Sequence, residues 1–181
     1  VTPLTRTTDA PFLAKIPGSK SFTNRALVLA AQRRGTTAIE GALHSEDTEL
    51  LADCLNRFKG LAVGKTSGGF IVERDRDRLS APDAELYIGA AGTPARFLMS
   101  FAAAAEGATV ITGTKRLCER PMDHLLQSLA RMGVRCECLS ATGRLPVRIW
   151  GSPVATSEWT VDGSVSSQFL SSLLIFAAQQ I

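Results

Sequence analysis

The chain has 181 residues, about 45% of them hydrophobic, which supplies enough apolar side chain for a core and excludes a disordered segment. Its 20 Lys and Arg against 17 Asp and Glu leave a net charge of +3, with the cations scattered; no nucleic acid is expected as a partner. The apolar run Phe97 to Ala105 is too short to span a bilayer, so no membrane partner is expected either.

In chain order, Ile16-Pro17-Gly18-Ser19-Lys20-Ser21 reads as a turn leading into a helix over Asn24 to Ala31. Gly35 to Gly41 reads as a strand between glycines, and Thr48 to Phe58 as an amphipathic helix stopped at Gly60. A strand follows over Gly69 to Arg74. Ile88-Gly89-Ala90-Ala91-Gly92-Thr93 is a second turn, leading into a helix over Ala95 to Ala105 and a strand over Gly107 to Gly113. Pro121 suits the first position of the next helix, Met122 to Met132, which Gly133 stops. Strands over Val134 to Leu139 and Pro146 to Trp150 come next. A third turn, Val161-Asp162-Gly163-Ser164-Val165-Ser166-Ser167, opens a helix over Gln168 to Ala178.

These stretches are copies of one plan. The lead glycines Gly18, Gly89 and Gly163 are spaced by 89 − 18 = 71 and 163 − 89 = 74 residues. The unit is strand, helix, strand, helix, strand, strand, and about two and a half units are present. The expected fold class is therefore α/β (α+β), with repeated βαβαββ units, helices buried together and sheets outward. Residues 1–17 fall outside the repeat and are expected to belong to another, incomplete domain; residues 18–181 form a three-lobed domain truncated in its third lobe. The chain opens on Val1 and stops at Ile181 inside an apolar helical pattern, so it reads as a fragment.

Each lobe places a helix N-terminus after a Gly/Ser/Thr turn, where free N–H groups and the helix dipole favour anions. Lys20, Ser21 and Arg25 come from the first lobe, Arg120 from the second, and Ser166, Ser167 and Gln168 from the third. Lys offers a point charge, Arg a planar fork for carboxylate or phosphate, and hydroxyls neutral hydrogen bonds. Taken singly, each feature is as well explained by a helix cap or a surface ion pair; three turns of one kind in register imply a small ligand carrying carboxylate and phosphate. The spacing of a nucleotide-binding P-loop is absent. Cys54, Cys118, Cys136 and Cys138 have neither a Cys-x-x-Cys spacing nor a His pair beside them; no metal site is expected, and they read as thiols in a reducing cytoplasm.

Pro17-Gly18-Ser19-Lys20-Ser21-x-x-Asn24-Arg25-Ala26-Leu27 resembles the opening signature of the EPSP synthase family of enolpyruvyl transferases. Ser45-Glu46-Asp47-Thr48, Gly89-Ala90-Ala91-Gly92-Thr93, Glu119-Arg120-Pro121 and Val161 to Leu170 resemble further family segments, in order. The resemblance implies a cytoplasmic, two-domain enzyme needing no metal or organic cofactor. Such an enzyme moves the enolpyruvyl group of phosphoenolpyruvate onto the 5-hydroxyl of shikimate 3-phosphate. By the same resemblance, Lys20, Ser21, Arg25, Ser166, Ser167 and Gln168 would bind shikimate 3-phosphate, and Lys20, Gly92, Arg120 and Gln168 would bind phosphoenolpyruvate. The acid–base carboxylates are expected in a complementary C-terminal half, so no catalytic residue is assigned here; Asp47 and Asp162 are read as cap or turn residues. Ala90 stands where the family has Asn. Two alternatives are a non-catalytic anion-binding homologue, or a split half needing a partner chain, and the related transferase acting on UDP-N-acetylglucosamine. The latter carries Lys-Asn at the place of Lys20-Ser21.

Overall fold

The computed structural model describes residues 17–151 and 166–177. The expectations for residues 1–16 and for the third turn before Ser166 lie outside these residues.

Ser19 opens the first helix, α1 (Lys20–Gln32), as its N-cap, with its hydroxyl accepting from the Phe22 amide. The hydroxyl-rich residues expected to form a turn are therefore the first turn of α1, which begins four residues before the expected Asn24. Strand β1 (Gly35–Glu40) leads to α2 (Glu46–Leu55), then β2 (Leu61–Thr66) and β3 (Gly69–Arg74) form a hairpin. Ser45 caps α2 through a reciprocal box with Thr48, whose hydroxyl accepts from the Ser45 amide at 2.9 Å. This corrects the reading of Asp47 as a cap: it sits in the first helical turn, where the positive end of the helix dipole favours a carboxylate.

The second unit repeats the plan. Strand β4 (Leu86–Tyr87) precedes α3 (Gly92–Ala102) and β5 (Gly107–Thr112), and a short helix α4 (Lys115–Cys118) is inserted before α5 (Asp123–Arg131). Strands β6 (Arg135–Cys138) and β7 (Val147–Gly151) close the unit, and α6 (Ser167–Ala177) begins the third. Pro121 is not the first helical residue, since α5 starts two positions later at Asp123 with Met122 as its N-cap. Beyond Arg131 the chain reverses at Gly133, whose φ of +88° is a left-handed conformation that glycine adopts without a side-chain clash.

The two sheets carry the repeat into space. The first has the order β1-β3-β2, all antiparallel, with Thr37 opposite Val72 and Val63 opposite Val72. The second has the order β4-β5-β7-β6, so β5-β7-β6 reproduces β1-β3-β2, while β4 adds parallel to β5. Outward strand positions are exposed and inward ones buried, as in β3, where Phe70 and Val72 face the core.

Helices α1, α3 and α6 pack on one another beneath the sheets. Nearly all of α3 is buried, Leu98 and Met99 completely, and the Phe58 and Phe101 rings meet edge to face at 5.0 Å between centroids. The three helices run in one direction. Arg25 and Gln32 of α1 bond Ser171 and the Ile175 carbonyl of α6, and Arg96 and Ser100 of α3 bond Gln168 and Ser172. Their N-termini therefore lie at the same end of the bundle.

Candidate functional site

That shared end gathers cations of α1 and α3 against the first turns of α6. Arg25, one and a half turns into α1, donates to its own Ser21 carbonyl at 3.0 Å and to Ser171 Oγ at 3.1 Å. Its guanidinium lies 5.4 Å from the centre of the Phe97 ring on α3. Arg96, at the same depth in α3, repeats the move one helix on. It donates to the Gly92 carbonyl at 3.0 Å and to Gln168 Oε1 at 2.8 Å, and stacks 5.0 Å from the Phe169 ring centre.

Arg96 is only 4% exposed and, among the described residues, has no carboxylate partner and no hydrogen-bond partner for its Nε. Burial, reinforced by the neighbouring Arg120 charge, pushes its pKa down to about 10. Arg120 approaches Gly92 so closely that a Cβ there would lie 2.8 Å from its Cζ, clash with its Nη1, and sit 3.1 Å from Arg96 Nη1. Glycine at position 92 thus lets two guanidinium groups flank the first turn of α3. The N-cap of that helix, Ala91, has no side-chain oxygen, so no side chain competes for the leading N–H groups.

At the start of α1, Lys20 and Asp47 form an ion pair at 3.0 Å, joining the N-termini of α1 and α2. The Lys20 side chain keeps 53% exposure, so the ammonium stays open to solvent beside its partner. At α6, Ser166 Oγ accepts from the Gln168 amide at 3.2 Å, while Ser167 is exposed at the helix start. Thr23 Oγ1 accepts from the Leu43 amide at 3.0 Å and so ties α1 to the loop leading into α2.

The expected residues thus fall into contiguous groups. Arg25 with Ser21 is one; Gly92 with Arg120 is another; Ser166 with Gln168 is a third; and Arg96, which the sequence reading passed over, joins the second to the third. Lys20 is tied to Asp47 rather than to another expected residue. Arg96 lies inside the apolar run of α3, but the repeat could have found it, since 96 − 25 = 71 is the spacing of the first two lead glycines. Ala90 is exposed, immediately before the N-cap of α3.

Among the described residues no group of three His, Cys, Asp or Glu side chains could hold a metal ion, and no helix is long and apolar enough to cross a membrane. Burial raises the Cys54 thiol to about 12 and the Cys136 thiol to about 11, so neither supplies a thiolate near neutral pH.

Parallel helices from repeated βαβαββ units, with cations gathered where their N-termini meet, define an enolpyruvyl-transferase fold. Residues 13–180 match the family described as EPSP synthase (3-phosphoshikimate 1-carboxyvinyltransferase), and the chain belongs to that family. It is 38% identical over 163 residues to the 3-phosphoshikimate 1-carboxyvinyltransferase of Rhizobium etli CFN 42, and 38% identical to that of Rhizobium leguminosarum bv. trifolii. Each match covers 90% of this chain but 38% of the relative, so the chain spans well under half the length of these curated relatives. The structure of EPSP synthase from Acinetobacter baumannii superposes with a TM-score of 0.76 at 27% identity, over 90% of this chain and 37% of that one.

Proposed function

We propose that this chain supplies the N-terminal half of the substrate site of a 3-phosphoshikimate 1-carboxyvinyltransferase. The reaction transfers the enolpyruvyl group of phosphoenolpyruvate to the 5-hydroxyl of shikimate 3-phosphate and releases phosphate. The observation that carries the reading is the convergence of Arg25, Arg120 and Gln168 at the common N-terminal end of the bundle. Both substrates are polyanions, and guanidinium groups and helix N-termini are matched to phosphate and carboxylate.

In this reading Ser21, Arg25, Ser166 and Ser167 bind shikimate 3-phosphate. Gly92 and Arg120 bind phosphoenolpyruvate through the first turn of α3 and its flanking charge, and Lys20 and Gln168 touch both ligands. Lys20 exchanges part of its contact with Asp47 for substrate oxygens. The fixed cations stabilise negative charge without reorganising at the moment of reaction. Protonation of the phosphoenolpyruvate methylene and removal of the hydroxyl proton need an acid and a base. Those groups belong to a complementary C-terminal half, and the residues from 1 to 17 belong with that second domain.

The test is calorimetric titration of shikimate 3-phosphate into the protein and into its Arg25→Ala variant. The variant loses a charge-assisted contact, which corresponds to about 1.5–3 kcal/mol, or roughly 10- to 150-fold in Kd. Equal affinities for the two proteins refute the role of Arg25, and absence of binding to either refutes the site. The same preparation, assayed for phosphate release with both substrates, is expected to show no turnover. Product formed by the 181-residue chain alone would overturn the placement of the acid and base in the other half.

A further inference from the structure

A guanidinium in the interior without an anion beside it is costly, and a fold retains one only where something offsets the cost. Among the described residues Arg96 is such a group: it is 4% exposed, bonds two neutral oxygens, leaves its Nε without a partner there, and has the Arg120 charge beside it. Its bond to Gln168 has a consequence for orientation. Arginine is donor only, so the carboxamide must turn its oxygen toward Arg96, and its NH2 group is then presented away from Arg96 as a donor. Left alone, a Gln side chain offers donor and acceptor equally, and an anion is repelled by half of those orientations.

We infer that Arg96 is a positioning residue that locks the Gln168 carboxamide with its NH2 toward the anionic ligand and holds a second positive charge against the first turn of α3. The inference rests on the reading of Gln168 as a ligand residue given above. The repeat supports it from a separate direction. Arg25 and Arg96 occupy matching places, each lying over a phenylalanine of the next helix and bonding a polar side chain of α6. Arg25, half-buried, is open to a ligand; Arg96, sealed beneath Gly92 and Phe169, acts through Gln168.

The experiment is titration of shikimate 3-phosphate into the protein and into Arg96→Met, Arg96→Lys, Gln168→Met and the Arg96→Met/Gln168→Met pair, with the thermal midpoint of each measured alongside. Arg96→Met is expected to weaken binding at least tenfold with an unchanged or higher midpoint, and Arg96→Lys to recover part of the loss. On the Gln168→Met background, Arg96→Met is expected to weaken binding further by a much smaller factor. A purely structural arginine would instead lower the midpoint, and its effects would multiply with those of Gln168→Met. Arg96→Met binding within twofold of the parent overturns the inference, as do independent effects in the double variant. Should Arg96→Met not fold, Arg96→Lys decides: affinity and midpoint falling in step would overturn the inference. Failure of the parent protein to bind removes the underlying site reading, whereas binding by the parent that is indifferent to Arg96 removes this inference alone.

Discussion

Replacing Gly92 by alanine tests the tightest contact in the site. The backbone there tolerates a side chain, since Gly92 is not among the glycines with positive φ. The obstacle is Arg120. A Cβ at position 92 would stand 2.8 Å from its Cζ, against 3.4 Å for ordinary contact, so the guanidinium must retreat by at least about 0.6 Å, and further at Nη1. Arg120 is exposed and has no carboxylate partner among the described residues, so it can swing away at little cost to the fold. A gain of about 0.5–1 kcal/mol from replacing a helical glycine offsets that cost. What is lost is the charge-assisted contact between Arg120 and a ligand lying on the first turn of α3, about 1.5–3 kcal/mol. Calorimetry with phosphoenolpyruvate should therefore show Gly92→Ala binding roughly 10- to 150-fold more weakly. Its thermal midpoint should be equal or higher. Unchanged affinity would mean that Arg120 does not contact the ligand from its present position, and a sharp loss of stability would mean that Arg120 cannot move.

Two further outcomes are expected. Ala90→Asn adds an amide beside the N-cap of α3 and should tighten phosphoenolpyruvate binding by about 0.5–1.5 kcal/mol, roughly two- to tenfold, without altering stability; equal Kd values would show that the added amide finds no ligand atom. For Arg96, burial lowers the pKa to about 10, so the charged group destabilises the fold, a cost reduced by its two hydrogen bonds. The folded-state pKa is the lower one, so the cost is present in full below about pH 10 and is relieved as pH rises above it toward the ordinary arginine range. Chemical denaturation should show the parent gaining stability relative to Arg96→Met across that window, and a constant difference would contradict the burial cost.

The repeat was legible because the turns carry glycines at near-constant spacing, and the helices and strands named from it follow in the right order, although β2, β4 and α4 were not among them. β3 was located to the residue because Phe70 and Val72 alternate with exposed positions. β2 left no such trace: beyond Val63 it is Gly64-Lys65-Thr66, solvent-facing, and its pairing with β3 supplies the structure that its side chains do not announce. The helix starts of α1 and α3 came out three or four residues late because Ser, Gly and Thr favour turns but also serve at caps and in first helical turns. The cap of α2 could have been read from Ser45-x-x-Thr48. Arg96 was hidden by its setting, since a charged residue among apolar neighbours is assigned by periodicity to the solvent face. Only tertiary packing decides that the side chain turns inward to Gln168 instead.

The hand-over of guanidinium groups is not shared equally among the helices. Helix α6 receives Arg25 from α1 and Arg96 from α3. It also holds the Ser172 hydroxyl 2.5 Å from Ser100 Oγ and 2.7 Å from the Arg96 carbonyl. Both earlier lobes thus report to a single element. In amide hydrogen exchange, loosening either donor helix would surface first as lost protection in α6, and a ligand gripping Arg25 or Gln168 would slow exchange along it. The third repeat is in this sense the listener of the domain, and its amides are the place to watch for what the other two have bound.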